Sequence, residues 1–316
     1  MAVPPKRRAR GSGAFQHVKF EETYGASPGG NYIRLPFVSS MLGAEQGLIE
    51  SDLLGQGREP YDPSPDVINN AGDHVVPVDV RGFGHWLKLL FGAPDTSALP
   101  DDMYEHVFTS GADQLPSMSI ELALPAAQKF GMNYGVRGNT LRIGMSRRGL
   151  LNATLGLIAK GETVAAASAA GTPQPIDVER FAQATGEVRQ NGVLLGNVVS
   201  AEFGYSNNLD PVETIRPDGE IEDADPGMSG SSSSITVRFA GQSLFDKAVS
   251  GEPVALSFGW SKGPHSLVFE NERVFLPRPK TPISGPNGIQ ATFQLQASGA
   301  DGHVLTATLI NDIAAY

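Results

Sequence analysis

The sequence contains no cysteine, which excludes a disulfide framework, a thiolate metal site and a cysteine nucleophile. It has no run of about 18 apolar residues, and no apolar stretch follows the basic residues at its start. Neither a membrane-spanning helix nor a signal peptide is therefore expected, and the chain is expected to be made and folded in a cytoplasm. Positive charge is scarce and unevenly placed: 24 Lys and Arg stand against 34 Asp and Glu, for a formal net charge of −10. Lys6, Arg7, Arg8 and Arg10 supply four of the cations with no acid among the first ten residues, so residues 11–316 carry −14. Such a body repels polyanions, which excludes ordinary phosphate-neutralising nucleic-acid binding except through the basic arm.

The motifs of catalysis and cofactor binding are missing too. Gly82-Phe83-Gly84 lies between a strand-like and a helix-like stretch, as a dinucleotide fingerprint would, but Leu87 stands where the third glycine belongs. No segment fits a phosphate loop, and Gly227-Met228-Ser229-Gly230 lacks the spacing of a nucleophile elbow. Asp218, Glu220, Glu222, Asp223 and Asp225 group carboxylates that a hard cation favours, but without the glycine and terminal glutamate of a calcium loop, so a solvated acidic loop is expected. His17, His74, His85, His106, His265 and His303 form no pair at helical metal-ligand spacing. Nothing points to the paired carboxylates of a glycoside hydrolase. No catalytic residue, metal ligand or cofactor is assigned, and the chain is not expected to be an enzyme.

What the sequence does have is turns and alternation. Its 37 Gly and 23 Pro, with 40% hydrophobic and 18% charged residues, suit a soluble protein rich in β structure, and 316 residues favour two domains. From Val75 to Gly82 apolar and mostly polar positions alternate, placing Val76, Val78 and Val80 on one face of a strand. Phe83, Trp86, Leu87 and Leu90 then recur at helical spacing as far as Gly92. The pattern returns 159 residues on: Ser234 to Gly241 alternates, and Leu244, Phe245, Ala248 and Val249 follow at helical spacing to Gly251. Leu151 to Leu157 resembles Ile289 to Leu295, sharing Ala-Thr, and Ile49 to Leu53 can be laid on Val199 to Phe203. Collinear matches of this kind indicate a tandem duplication.

A small-residue and proline stretch from Ala165 to Pro175 reads as the linker between the copies. The organisation expected is an extended N-terminal arm over 1–30, a first domain over 31–175 and a second over 176–316. Each copy also carries a long polar insertion, 57–73 and 207–233, of a length that usually has a function or lacks order.

Two groups of segments resemble the tail-tube proteins of long-tailed siphophages. In the second half they are Glu179 to Val188, Gly196 to Phe203 and Asn207-Asn208-Leu209. In the first half Leu48-Ile49-Glu50-Ser51, the Gly82 to Gly92 element, Tyr104 to Thr109 and Pro116 to Glu121 follow in the family's order. The resemblance spans roughly 40–310. It implies a mainly β fold with short helices: tandem tail-tube-type β-sandwich or half-barrel domains that complete a β-barrel ring on oligomerisation.

The function it implies is that of a major tail tube subunit of the virion, forming stacked, trimeric, pseudo-hexameric rings that conduct phage DNA. Its implied partners are further copies of itself, the tape-measure protein, the tail terminator, distal tail proteins and DNA in non-specific passage, with no membrane binding. Closure between subunits would remove the unpaired edges of an open sheet. The polar strand faces then become candidate lumen lining: Glu50, Asp52, Asp79 and Arg81 in the first copy, Glu202 and Arg238 in the second. An acidic wall would suit DNA that must pass without sticking, and the two arginines make it mixed. The two insertions would project along the tube axis onto the next ring, with Lys6, Arg7, Arg8 and Arg10 as an inter-ring clasp. The alternatives are a solvated outer surface for the polar faces, a tail-tip or baseplate hub ring or secretion-system tube for the assembly, and a polysaccharide-degrading enzyme for the function.

Overall fold

The computed structural model describes residues 8–316 except 239–242, 282, 284, 287 and 301. The first half contains β1 (Phe15–Phe20), β2 (Ile33–Arg34), β3 (Ser39–Ser40), β4 (Ala44–Ile49), β5 (Ser64–Pro77) and α1 (Phe83–Phe91). It continues with β6 (Asp95–Leu99), β7 (Met103–Thr109), β8 (Met118–Leu124), β9 (Lys129–Met145), β10 (Asn152–Ile158), β11 (Gly161–Ala165) and β12 (Gln174–Pro175). Then come β13 (Glu187–Gln190), β14 (Val193–Leu194), β15 (Val198–Ser206), β16 (Asp210–Val212), β17 (Asp223–Asp225), β18 (Gly230–Ser231) and β19 (Ser234–Arg238). The chain ends with α2 (Ser243–Ser250), β20 (Val254–Lys262), β21 (His265–Phe275), β22 (Gln290–Gln294), β23 (Gln296–Ala297) and β24 (Thr306–Asn311). The fold is mainly β with short helices, as the alternating segments and turn residues predict.

The 17-residue β9 is the spine of the larger sheet. Its N-terminal half pairs with β8 and β11, and beyond β8 lie β1, β2 and β12. Its C-terminal half pairs with β10 on one side and β15 on the other. From β10 the sheet continues through β5 to β3 and β4, and from β15 through β19 to β22. The second sheet runs β14-β13-β20-β21-β24-β7-β6. Both sheets cross the middle of the chain: β9 pairs with β15 from Ala201↔Met145 to Ser206↔Thr140, and β7 with β24 from Thr306↔Thr109 to Asn311↔Tyr104.

Strand alternation supplies the core between the sheets. Val76 on β5, Ala153, Leu155 and Leu157 on β10, and Ile235 and Val237 on β19 are buried, each separated by a residue facing the other way. Phe203 on β15 stacks on Phe269 of the second sheet at 4.3 Å and lies 5.8 Å from Phe258. Burying such a ring contributes roughly 2–3 kcal/mol.

Helix α1 is buried on more than its predicted stripe. Phe83, Trp86, Leu87 and Leu90 are joined inside by Leu89 and Phe91, because the helix packs on β7 and β9 and its end meets the second half of the chain. Gly92, at φ +93°, stops it in a conformation that L residues rarely adopt. Beyond that stop, the buried Asn207 donates its amide to the carbonyls of Leu90 and Gly138, both at 2.8 Å, and accepts from the Tyr205 hydroxyl at 2.7 Å. One side chain thereby fastens α1, β9 and β15.

Several local expectations differ from the structure. Residues 15–20 belong by composition to the arm, yet they form β1, which pairs with β8 along its whole length. Glu21 then anchors the following turn, accepting from the hydroxyls of Ser117 and Ser119 and from the backbone N–H groups of Gly25 and Gly135. Residues 50–53 lie outside any strand, and most of the polar insertion 57–73 is the first part of β5, paired with β4 into a ribbon. The linker is tied down: Glu121 accepts from the Ser168 hydroxyl at 2.6 Å and the Ala169 N–H at 2.8 Å. Gly241, the match to Gly82, lies outside the described residues.

Candidate functional site

Residues paired across a sheet share a face, so the registers define the outward surface of the larger sheet. Val75 lies beside Thr154, Thr154 beside Arg142, and Arg142 beside Gly204. Gly144 lies beside Glu202, and Glu202 beside Ser234. Thr236 and Thr292 meet on the same surface with their hydroxyls 2.9 Å apart, and Arg238 follows two residues beyond Thr236. Along β9 Arg142 and Gly144 are exposed while Leu141, Ile143 and Met145 are buried, so this surface is open and polar on one side only.

This face is bounded by open strands. Leu295 N donates to Ser233 O, so by alternation residues 291 and 293 also turn their backbone toward β19. Gln290, Thr292 and Gln294 then point their N–H and C=O groups away from the sheet. At the opposite end β3 and β4 pair, among the described residues, only with β5. Such unpaired edges are templates for another strand.

Of the residues singled out in the sequence for the lumen, Glu202 and Arg238 lie together on this face and are exposed. Glu50 and Asp52 are exposed but sit in the tip beyond β4, off the sheet. Asp79 and Arg81 correct the expectation. Asp79 is 1% exposed, its backbone pairs with that of Arg180 in an isolated antiparallel bridge, and its carboxylate accepts from the backbone N–H groups of Arg81 and Gly82. Arg81 lies in the turn before α1, with two nitrogens on Asp312 and a third 3.2 Å from Asp177. The physical reason is the segment after residue 176, which runs along this strand through Val80 N to Glu179 O and Phe181 N to Val78 O. It covers what alternation alone leaves facing outward. Sequence reasoning missed Asp73 and Arg142, the further exposed charges of the face; the signal for Arg142 was the alternation of Leu141, Ile143 and Met145 around it.

Burial pushes the Asp79 carboxyl up to about 6, against the backbone donors and the arginines that lower it. A carboxyl raised in the folded state stabilises most below its unfolded value near 4, and that contribution is lost as pH rises toward 6. Asp79→Asn is therefore expected to raise stability relative to the parent by up to about 3 kcal/mol at pH 8 and to make little difference at pH 4. Thermal melts at the two pH values check this; an equal difference at both would refute the assignment.

The other polar clusters are accounted for by partners within the chain. Arg216 holds the Asp218 carboxyl down to about 2, Arg137 pairs with Asp223 at 2.9 Å, and Tyr134 donates to Glu220. No group of three or more metal-ligating side chains is found among the described residues. His17 contacts Glu121 at 3.0 Å, and His74 lies between Phe37 and Trp86, where burial lowers it to about 4. Of the arm residues, Arg8 and Arg10 are exposed, and Lys6 and Arg7 lie outside the described residues. No helix among the described residues is long and apolar enough to cross a membrane.

Two comparisons bear on this arrangement. No curated protein matches the chain. A family model described as phage tail tube protein matches it over residues 11–297.

Proposed function

Because the chain belongs to the phage tail tube protein family, we propose that it is the major tail tube subunit of a siphophage with a non-contractile tail, assembling in the host cytoplasm into stacked rings that conduct DNA during ejection. The observation that carries the reading is that, along the strands from β22 through β19, β15, β9, β10 and β5 to β3 and β4, the larger sheet has an open edge on each side. Joining β22 of one copy to the β3–β4 edge of the next extends the sheet around a ring. The junction of β9 with β15 inside one chain is an example of such a join, linking strands from the two halves through six residue pairs.

The repeated arrangement supports a duplicated origin. β5 leads into α1 and pairs with β10, and β19 precedes α2 and pairs with β22. Ala153 lies beside Val76 in one half and Ala291 beside Val237 in the other. Two such units per chain make three chains a pseudo-sixfold ring. Glu202, Arg238 and Arg142 then line the lumen, while tape-measure, terminator and distal tail proteins complete the tail.

Negative-stain microscopy of the concentrated protein tests the reading. Hollow tubes of stacked rings are expected; a chain that stays monomeric with its initiator and tape-measure partners present would overturn it. Thr292→Pro tests the edge, because this residue's N–H points outward and its loss leaves the ladder to β19 intact. The variant is expected to fold and melt within a few degrees of the parent but to form no rings. Rings indistinguishable from the parent's would place closure elsewhere.

A further inference from the structure

The larger sheet ends very differently in its two strand directions. At one end β4 and the first part of β5 stand out as a ribbon, exposed on both faces for most of its length. Glu45, Glu50, Asp52, Glu59, Asp62 and Asp66 crowd it against Arg58 alone. Leu48, Ile49, Leu53, Leu54 and Val67 are exposed on it. The fully exposed Ile215 lies alongside, held there as Ile68 N donates to Gly219 O at 3.0 Å. A two-stranded ribbon is marginal in water, and an apolar surface of this kind rimmed by charge marks a contact.

The other end lies roughly 40 Å away along β5, at about 3.3 Å per residue. There the β9–β10 turn, the start of β15 and the end of β19 come together around a cleft of about 480 Å³ lined by Arg147, Leu194, Val199, Ser200 and Arg238, with its one carboxylate, Glu187, neutralised by Arg189 at 2.7 Å. Arg148 and the exposed Leu150 and Val193 adjoin it in the same turn and in β14. Arg147, Arg148 and Arg238 enter no ion pair among the described residues, although acids outnumber bases in the chain by 34 to 24. Both ends are thus apolar at the centre, one rimmed by carboxylates and the other by guanidiniums.

We infer that the arginine end of one copy docks on the acidic ribbon of a second copy, head to tail along the strand direction, and that this contact sets the polarity of ring stacking. The inference rests on the tube reading and adds to it the surfaces that meet. Ribbon against ribbon would oppose like charges over apolar residues, whereas ribbon against arginine end pairs them. A heterologous contact of this kind does not close on itself and grows into a filament. The other occupant to consider for the arginine end, the phosphates of DNA, predicts binding by isolated rings and no effect on stacking.

Charge reversal on each end, with assembly followed by sedimentation and negative-stain microscopy, tests this. R147E/R148E/R238E and E50K/D52K/E59K are each expected to fold, by circular dichroism and melting, and to form rings without tubes, because one carries acid at both ends and the other base. Mixed in equal amounts they are expected to restore tubes. The neutral R147Q/R148Q/R238Q is expected to raise the concentration needed for tubes about tenfold, three modest surface pairs being lost. Parental tubes with reversed variants that also form tubes, or a mixture that stays as rings, would overturn the inference and leave the tube reading standing. A parent that forms no tubes under any condition would overturn both.

Discussion

Gly84→Ala is expected to destabilise the protein by about 3 kcal/mol, although alanine in place of glycine inside an exposed helix usually stabilises by up to about 1 kcal/mol. A methyl group at this position of α1 would fall inside the ring of Tyr316. That ring is held on every side: its hydroxyl donates to Arg81 O at 2.7 Å and accepts from Asn311, and His85 and His106 meet it edge-on at 5.1 and 4.9 Å. The Tyr316 carbonyl oxygen accepts from Lys88 Nζ at 2.8 Å. The ring can make room only by leaving this socket, which uncovers α1 and breaks its link to β24. A double-mutant cycle by urea denaturation isolates the effect. Tyr316→Ala alone is expected to cost about 3 kcal/mol, and in its background Gly84→Ala should become neutral or stabilising. Simple addition of the two costs would show that the ring is not what excludes a side chain.

The second large effect is expected at Glu21. Its carboxylate accepts from Ser117 Oγ and Ser119 Oγ, both at 2.6 Å, from Gly135 N at 2.8 Å and from Gly25 N at 2.9 Å. Ser117 and Ser119 are buried, and Gly135, at φ +63°, sits in the irregular stretch where β9 passes from one set of partners to the other. Glu21→Ala leaves four donors without an acceptor in a site too enclosed for free hydration, at a cost of about 3–4 kcal/mol. Glu21→Gln keeps one acceptor oxygen but sets an NH₂ against remaining donors, and about half that loss is expected. Deleting residues 1–10 makes the contrast, since Arg8 to Arg10 are exposed and a loss below about 1 kcal/mol is expected. If Glu21→Ala were as mild as the deletion, the segment after β1 would be an appendage rather than part of the body.

These two sites mark where sequence reading reached its limit. The alternation of Val76, Val78 and Val80, the spacing of Phe83, Trp86, Leu87 and Leu90, and the strands around Ala153 and Ala291 were legible because side-chain direction repeats every two or 3.6 residues. The family signature was legible for a related reason, since its segments keep residue types in order along the chain and match the family over 11–297. The open polar face was legible in part: Arg238 ends a strand that alternates cleanly from Ser234, and Glu202 stands between the buried Ala201 and Phe203 with Gly144 and Ser234 beside it.

Asp79 and Arg81 were not legible, because whether the polar side of a strand meets water depends on what lies beyond it. Here that is Asp177 to Phe181, about a hundred residues further on. β1 was hidden by a composition of Lys, Arg, Gly, Ser and Pro around six residues whose partner is β8, likewise about a hundred residues away. β9 escaped notice because it changes partners midway, so its N-terminal half is buried on both sides and shows no alternation to read. By itself the sequence determined the short-range periodicities, the absence of catalytic motifs and the family. Only the tertiary structure decided which polar faces are covered, which edges stay open, and how the two ends of the sheet came to carry opposite charge, because each depends on pairings between distant segments that no local pattern encodes.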